Sequence, residues 1–285
     1  MDRVTLCQAA AFPSEMLAAL LNQAYVDYPV PTRLSPQAFA RMVESTDIDL
    51  THSVVALAGG TPVGLAFLSR RGQEGWISGV GVVPHWRRHG LGRAMIVRLQ
   101  DDARQWGLRR VRLEVLAQNR AAQALYETQG FAFTREFLVL QRDPRVDEPW
   151  PALPPTVHVD PSWPLEALWD FRRILPSWQR DRPTLRRHLV TLSGLAYLER
   201  GVPRGYVLYQ TQPYAVVVMD LAVDPEYGDR ERIALTLLRT VHRLSPHHVG
   251  YVINVPAEDP LAQAFFEVGY HVWQRQHEMV WYPLS

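Results

Sequence analysis

One short segment constrains the fold of this chain more than any other. Residues 82–93 read VVPHWRRHGLGR, after an apolar run with the composition of a strand and before a run with helical spacing of apolar residues. The first amides of a helix have no partner within the helix, and the aligned peptide dipoles add positive charge there. Gly90 and Gly92 allow the backbone to approach a ligand closely, because neither carries a Cβ atom. The segment therefore predicts a strand, a turn and a helix start that together hold a pyrophosphate. The residues expected around this anion are Arg87, Arg88, His89, Gly90, Leu91, Gly92 and Arg93.

A second motif follows at residues 111–131. An alternating strand, VRLEV, precedes Asn119, an alanine-rich helical run that contains Tyr126, and the pair Gly130-Phe131. Taken with the first motif, this order resembles the GNAT family of N-acetyltransferases over residues 76–140. Within that family, the second motif is similar to the bacterial ribosomal-protein N-terminal acetyltransferases.

The resemblance implies a fold, a co-substrate and a reaction. The implied fold is α/β (α+β), with a mixed, mostly antiparallel sheet flanked by helices. The implied reaction moves an acetyl group from acetyl-CoA to a primary amine by direct attack in a ternary complex. In the family, the strand that carries residues 80–82 splays from the next strand, and the pantetheine arm pairs with its backbone. The further cofactor-binding residues implied in this way are Val80, Gly81, Val82, Asn119 and Tyr126.

Tyr126 is the expected general acid. At the matching position the family uses a tyrosine hydroxyl to protonate the departing thiolate, and an ordinary tyrosine pKa near 10 keeps that proton available at neutral pH. An aromatic anchor for the short helix is the alternative reading of Tyr126. Asn119 has two readings as well, a pantetheine ligand or a helix cap.

Glu114 is the candidate base. It lies in the pattern Leu-Glu-Val-x-x-x-Asn, as does the proposed base of the ribosomal-protein acetyltransferases. The alternative is a strand carboxylate paired with Arg112 or Arg110. Asp27 and Glu74 are the reserve candidates.

The acceptor side is expected to include three aromatic side chains and one carboxylate. Tyr25, Asp27, Tyr28 and Trp76 come from segments that border this side in the implied fold, and they could hold a cationic amine. A small amine and a protein N-terminus both remain open as acceptors. So do two other functions, a non-catalytic acyl-CoA sensor and ligand binding by the second half of the chain.

The second half of the chain repeats the first. Residues 262–270, AQAFFEVGY, echo residues 122–131, and a proline at position 225 matches Pro84. We therefore expect two tandem domains: a catalytic, acetyl-CoA-binding domain of residues 1–141 and a degenerate copy of residues 156–285. Residues 142–155 are rich in proline and are predicted to link them. Under the proline match, Glu231 and Ile233 occupy the glycine positions, and a phenylalanine replaces Tyr126.

Composition excludes several classes of protein. A formal net charge of +1 in 285 residues argues against a nucleic-acid binder. A single cysteine fits a reducing compartment, and no apolar run is long enough for a bilayer, so we expect a cytoplasmic protein without a membrane partner. His242, His247 and His248 lack metal-ligand spacing, and no metal is expected. The fused repeat predicts a monomer, with a dimer possible.

Overall fold

The computed structural model describes residues 4–30, 33–146 and 154–283. The strands in these ranges are β1 (Val4–Gln8), β2 (Ile48–Ala58), β3 (Thr61–Arg71), β4 (Glu74–Val82), β5 (Arg110–Leu116), β6 (Ala132–Arg142), β7 (Thr156–Val159), β8 (Ser193–Glu199), β9 (Val202–Thr211), β10 (Ala215–Val223), β11 (Val249–Pro256) and β12 (His271–Trp281). The α-helices are α1 (Ser14–Ala24), α2 (Pro36–Ser45), α3 (Leu91–Gln105), α4 (Arg120–Thr128), α5 (Ser162–Ala167), α6 (Arg182–Arg187), α7 (Arg230–Leu244) and α8 (Ala262–Glu267).

The chain divides into two compact units whose boundaries fall inside strands. Unit 1 comprises Met1–Thr134 and His277–Ser285, and unit 2 comprises Arg135–Gln276. This division departs from the expected domains of residues 1–141 and 156–285. Because β6 enters unit 2 at Arg135 and continues to Arg142, the proline-rich segment follows a strand of unit 2. Residues 147–153 of the expected linker lie outside the described residues.

Unit 1 is a sheet with helices on both faces. Its strand order is β1-β2-β3-β4-β5-β12, with β12 contributing from His277 onward. Strands β1 to β4 pair antiparallel, and β5 pairs parallel to β4. Successive residues of β3 alternate between two cores, since side chains of a strand point to opposite faces. Ala66 packs with Met95 of α3, whereas Phe67 packs with Leu17 of α1 and Phe39 of α2.

Unit 2 repeats this architecture. Its strand order is β6-β11-β10-β9-β8-β7, again with one parallel pair, β10 and β11. Val207 of β9 packs with Leu237 of α7, and the next residue, Leu208, packs on the other face with Leu165 of α5 and Leu185 of α6. The expectation of two tandem copies of one mixed α/β fold is confirmed.

The two units share an irregularity that fixes their alignment. The pairing of β3 with β4 skips Ser78, and the pairing of β9 with β10 skips Met219. The parallel pairs begin at Glu74 with Arg110 in unit 1 and at Ala215 with Val249 in unit 2. Counted from these pairs, Trp76 corresponds to Val217, and Glu114 corresponds to Ile253.

Candidate active site

The two parallel strands of unit 1 separate halfway along their length. Pairing of β4 with β5 runs from Glu74 with Arg110 to Ile77 with Leu113 and does not continue in the described residues. Residues 79–82 of β4 remain paired to β3 on their other edge. Because backbone groups of a strand point alternately to its two edges, some N–H and C=O groups of residues 78–82 face the opening. Val80, Gly81 and Val82 thus lie where the sequence reading expected a splayed strand.

A row of free backbone donors lies just beyond this opening. In the described part of the chain, no protein acceptor receives the backbone N–H of any residue from 88 to 93, and the first bond of α3 runs from Ala94 N to Gly90 O. The turn depends on two residues in the left-handed region, Arg88 at φ 69° and Gly90 at φ 79°. Gly90 precedes the first residue of α3, so the helix dipole adds to the field of these donors. The arrangement fits a pyrophosphate.

The two glycines of this turn are required for different reasons. A Cβ atom on Gly90 would meet no atom within 4 Å, so its backbone angle, rather than crowding, favours glycine. A Cβ atom on Gly92 would lie 3.1 Å from Leu125 Cδ2 of α4, so the close contact of α3 with α4 favours glycine there.

We expect Gly90→Val to raise the Kd for acetyl-CoA at least about tenfold, since a β-branched residue at this φ distorts the turn at a cost of about 1–3 kcal/mol. Isothermal titration calorimetry measures the change. Gly107→Val is the matched control, because Gly107 has φ 68° and open space around it, and it follows the far end of α3. Equal loss of affinity in both variants would show that strain alone, and not the turn, affects binding.

Arg87 binds protein groups rather than facing the turn. Its guanidinium donates to Val82 O at 3.0 Å, to Ala24 O at 3.1 Å and to the Asp27 carboxylate at 2.6 and 2.7 Å. The hydrogen bonds from Arg87 hold the pKa of Asp27 below its usual value. Arg87 and Asp27, expected at the phosphate and at the acceptor, therefore form one ion pair that ties the end of α1 to the end of β4.

Three tyrosines converge near the splayed strand. The Tyr25 hydroxyl donates to Val80 O at 3.2 Å, and the Tyr25 and Tyr28 rings meet edge to face at 4.9 Å. Burial raises the pKa of Tyr25 to about 12 and raises the pKa of Tyr28 as well. Burial also raises the pKa of Tyr126, and the charges of Tyr25 and Tyr28 raise it further. Tyr126 is therefore a neutral donor at any physiological pH.

Glu114 receives a hydrogen bond from a tryptophan. Trp76 Nε1 lies 2.6 Å from Glu114 Oε2. The two arginines named as alternative partners of Glu114 also contact other carboxylates: Arg110 Nε lies 2.6 Å from Glu74 Oε2, and Arg112 Nη1 lies 3.7 Å from Glu278 Oε1. Glu74 is thereby engaged in an ion pair near the start of the parallel strands.

Asn119 caps α4. Its side-chain oxygen accepts a hydrogen bond from Ala122 N at 3.2 Å, as an N-cap residue does. The capping interpretation of Asn119 is thus observed, and its amide nitrogen stays available for a ligand role.

Sequence reasoning missed two features of this region. Ser78 lies at the bulge of β4, and its buried hydroxyl has no hydrogen-bond partner in the part of the chain that the structure describes. Glu278 is buried next to Arg112, and its Oε2 lies 3.2 Å from Thr134 Oγ1. The spacing of residues in two apolar strands does not indicate where a bulge lies between them, so the position of Ser78 could not be predicted. Glu278 reaches the site only because β12 joins unit 1.

Unit 2 has lost the corresponding features. Its loop before the helix is two residues shorter, so alignment of the starts of α3 and α7 places Asp229 and Glu231 opposite Gly90 and Gly92. This corrects the expected match of Ile233 to a glycine. A hydrogen bond with the Glu267 carboxyl raises the pKa of Glu231, and acidic groups of this kind repel phosphate.

A buried cluster of charged side chains lies around β10 of unit 2. Asp220, at the position of Gly79, accepts a hydrogen bond from the Tyr206 hydroxyl at 2.9 Å and pairs with Arg172. Arg180 donates to Met219 O at 3.1 Å, and burial lowers its pKa to about 9. Asp220 is thus buried with a tyrosine hydroxyl and an arginine as its partners, as a buried carboxylate requires.

Comparison with known proteins agrees with the geometry. Residues 16–131 match the model of the acetyltransferase (GNAT) family. The N-alpha-acetyltransferase RimI of Mycobacterium tuberculosis is 38% identical over 135 residues, which are 46% of this chain and 79% of that protein. The ribosomal protein bS18-alanine N-acetyltransferase of Escherichia coli is 43% identical over 58 residues, 20% of this chain and 39% of that enzyme. The chain belongs to the GNAT family of N-acetyltransferases.

Solved structures show the same tandem fold. A tandem GNAT protein from the clavulanic acid biosynthesis pathway superposes with a TM-score of 0.72 at 16% identity, over 99% of both chains. A family member from Sphaerobacter thermophilus gives a TM-score of 0.72 at 17% identity, over 99% of this chain and 96% of that one.

Two kinds of feature are absent from the described residues. No helix among them is both long and apolar enough to span a membrane. Residues 4–30, 33–146 and 154–283 also hold no group of three or more His, Cys, Asp or Glu side chains arranged for a metal ion.

Proposed function

We propose that unit 1 transfers the acetyl group of acetyl-CoA directly to a primary amine. The observation that carries this proposal is the row of unpaired backbone N–H groups at residues 88–93, next to a strand whose edge is open from Ser78. Unpaired N–H groups at a helix start suit a pyrophosphate, and an open strand edge suits an extended amide chain. When bound, acetyl-CoA supplies the activated acyl group as a thioester.

In this proposal, Glu114 and Tyr126 of unit 1 carry out the proton transfers. Glu114 accepts a proton from the acceptor ammonium, through water or directly, so that the neutral amine can attack the carbonyl carbon. Backbone N–H groups of residues 80–82 stabilise the negative charge that develops on the carbonyl oxygen. As the carbon–sulfur bond breaks, the Tyr126 hydroxyl donates its proton to the thiolate. The C–N bond forms in the attack, the nitrogen then loses a second proton, which passes through water to the Tyr126 oxygen, and the products are an amide and coenzyme A.

Two other functions are less well supported. A sensor that binds acyl-CoA without turnover needs neither Glu114 nor Tyr126. Unit 1 has both residues, whereas the matching positions of unit 2 hold Ile253 and a phenylalanine. Cofactor binding by unit 2 is opposed by Glu231 at the helix start and by the cluster around Asp220. We also infer that the reaction takes place in the cytoplasm, because a single cysteine suits a reducing compartment. We infer further that the enzyme is a monomer.

A protein N-terminus is the proposed acceptor. The two curated relatives named above are, by name, an N-alpha-acetyltransferase and an alanine N-acetyltransferase of ribosomal protein bS18. Tyr25, Tyr28 and Asp27 border the splayed strand, which favours an acceptor approaching from the side of α1. A small amine is the alternative.

The experiment is a thiol-release assay with acetyl-CoA and an alanine-initiated peptide. We expect release of one thiol for each peptide acetylated, with no release from the same peptide when its N-terminus is already acetylated. Small amines are run in parallel. Binding of acetyl-CoA by calorimetry without thiol release from any amine would support the sensor, and release only with small amines would overturn the peptide acceptor.

A further inference from the structure

Trp76 contacts the candidate base from the neighbouring strand. It is 4% exposed, too little for an aromatic wall that an acceptor could stack on, and its indole N–H is directed at Glu114 Oε2, 2.6 Å away. An indole nitrogen can only donate, and a hydrogen bond to a carboxylate is among the stronger ones in proteins.

The register of the strands explains why Glu114 needs such a partner. Trp76 lies beside Arg112 in the parallel ladder, and Glu114 follows Arg112 by two residues on the same face of β5. The ladder ends at Ile77 with Leu113, so Glu114 is the first residue of β5 beyond it. Trp76, the neighbour of the last paired residue, therefore reaches across the point where β4 and β5 separate and contacts a side chain just beyond the end of their ladder.

The internal repeat provides a natural comparison. In unit 2 the counterparts of Trp76 and Glu114 are Val217 and Ile253, so the donor and the carboxylate are both absent from the copy that lost its phosphate turn. We propose that Trp76 is a positioning residue, which fixes the orientation of the Glu114 carboxylate, instead of lining the acceptor pocket. This inference rests on the proposed function of Glu114.

The test introduces Trp76→Phe into the native enzyme and into the Glu114→Gln variant. The acceptor is an alanine-initiated peptide or, if the peptide is not acetylated, the small amine that gives the highest rate of thiol release. In the otherwise native enzyme we expect kcat to fall about tenfold, with the acceptor KM and the Kd for acetyl-CoA within about twofold. In the Glu114→Gln background, Trp76→Phe should cause no further fall. Trp106→Phe is the control, since Trp106 stacks on His52 away from this pair, and kcat should be unchanged.

A spectroscopic measurement separates positioning from a loss of folding. The indole N–H resonance of Trp76, assigned by its disappearance in Trp76→Phe, should shift in Glu114→Gln, while that of Trp106 stays in place. The inference is overturned if the resonance does not move, if kcat falls equally in both backgrounds, or if only the acceptor KM rises. Full activity of Glu114→Gln itself is a different failure, because it removes the proposed base.

Discussion

Replacing Tyr126 by phenylalanine is expected to lower kcat about 100-fold and to leave the Kd for acetyl-CoA within about twofold. The substitution removes the proposed proton donor for the departing thiolate but keeps the ring, whose centroid lies 6.0 Å from that of Phe131. In the described residues the Tyr126 hydroxyl makes no hydrogen bond, so its removal leaves no protein group without a partner. Steady-state kinetics and calorimetry on the same samples measure the two constants.

The pH profile gives a second readout for Tyr126. Because burial raises its pKa, the hydroxyl keeps its proton well above neutral pH, and we expect no loss of kcat between pH 7 and pH 9 from its titration. Tyr197→Phe is the matched control, since Tyr197 is a similarly buried tyrosine of unit 2, and its kcat should be that of the native enzyme. An undiminished rate in Tyr126→Phe would remove the acid role.

Stability of unit 2 is expected to fall steeply between pH 7 and pH 5 because of His242. Burial lowers the pKa of His242 to about 3, and its Nε2 lies 3.1 Å from the Tyr270 hydroxyl. In the unfolded chain the His242 imidazole takes up a proton as pH falls below about 6.5, whereas in the folded protein the same imidazole stays unprotonated until about pH 3. The unfolded state therefore binds more protons throughout this window, and we expect a loss of about 2 kcal/mol between pH 7 and pH 5.

The measurement compares the native protein with His242→Gln, whose amide does not titrate. Urea unfolding of the full chain, followed by circular dichroism at pH 7 and pH 5, gives the change in the free energy of unfolding for each. The native protein should lose about 2 kcal/mol more than the variant over this interval. Equal pH dependence in the two proteins would show that His242 is not the group responsible.

The parts of the site that depend on local backbone physics could be predicted from sequence. Two glycines at the start of an amphipathic helix predict free amides, and the structure contains them at residues 88–93. Asn119 before an alanine-rich run predicts a cap, and its side chain accepts from Ala122 N. Such features depend only on residues that are close together along the chain, so the sequence alone is enough to predict them.

Side-chain partners from distant segments could not be predicted. Arg87 follows the strand directly and was expected at the phosphate, but Asp27, 60 residues away, and two carbonyl oxygens bind its guanidinium. The hydrogen bond between Trp76 and Glu114 similarly depends on the register of two strands. The unit boundaries were missed because proline composition marks a turn or linker and cannot show that β6 and β12 each belong to both units.

The path of β12 has a consequence for how the enzyme is made. Unit 1 includes residues 277–281, and among them Glu278 meets buried Arg112. A ribosome synthesises these residues only after the whole of unit 2. Unit 1 therefore cannot finish folding as it emerges, although most of its sequence comes first, and a nascent chain stopped near residue 141 would expose an arginine that is buried in the mature protein.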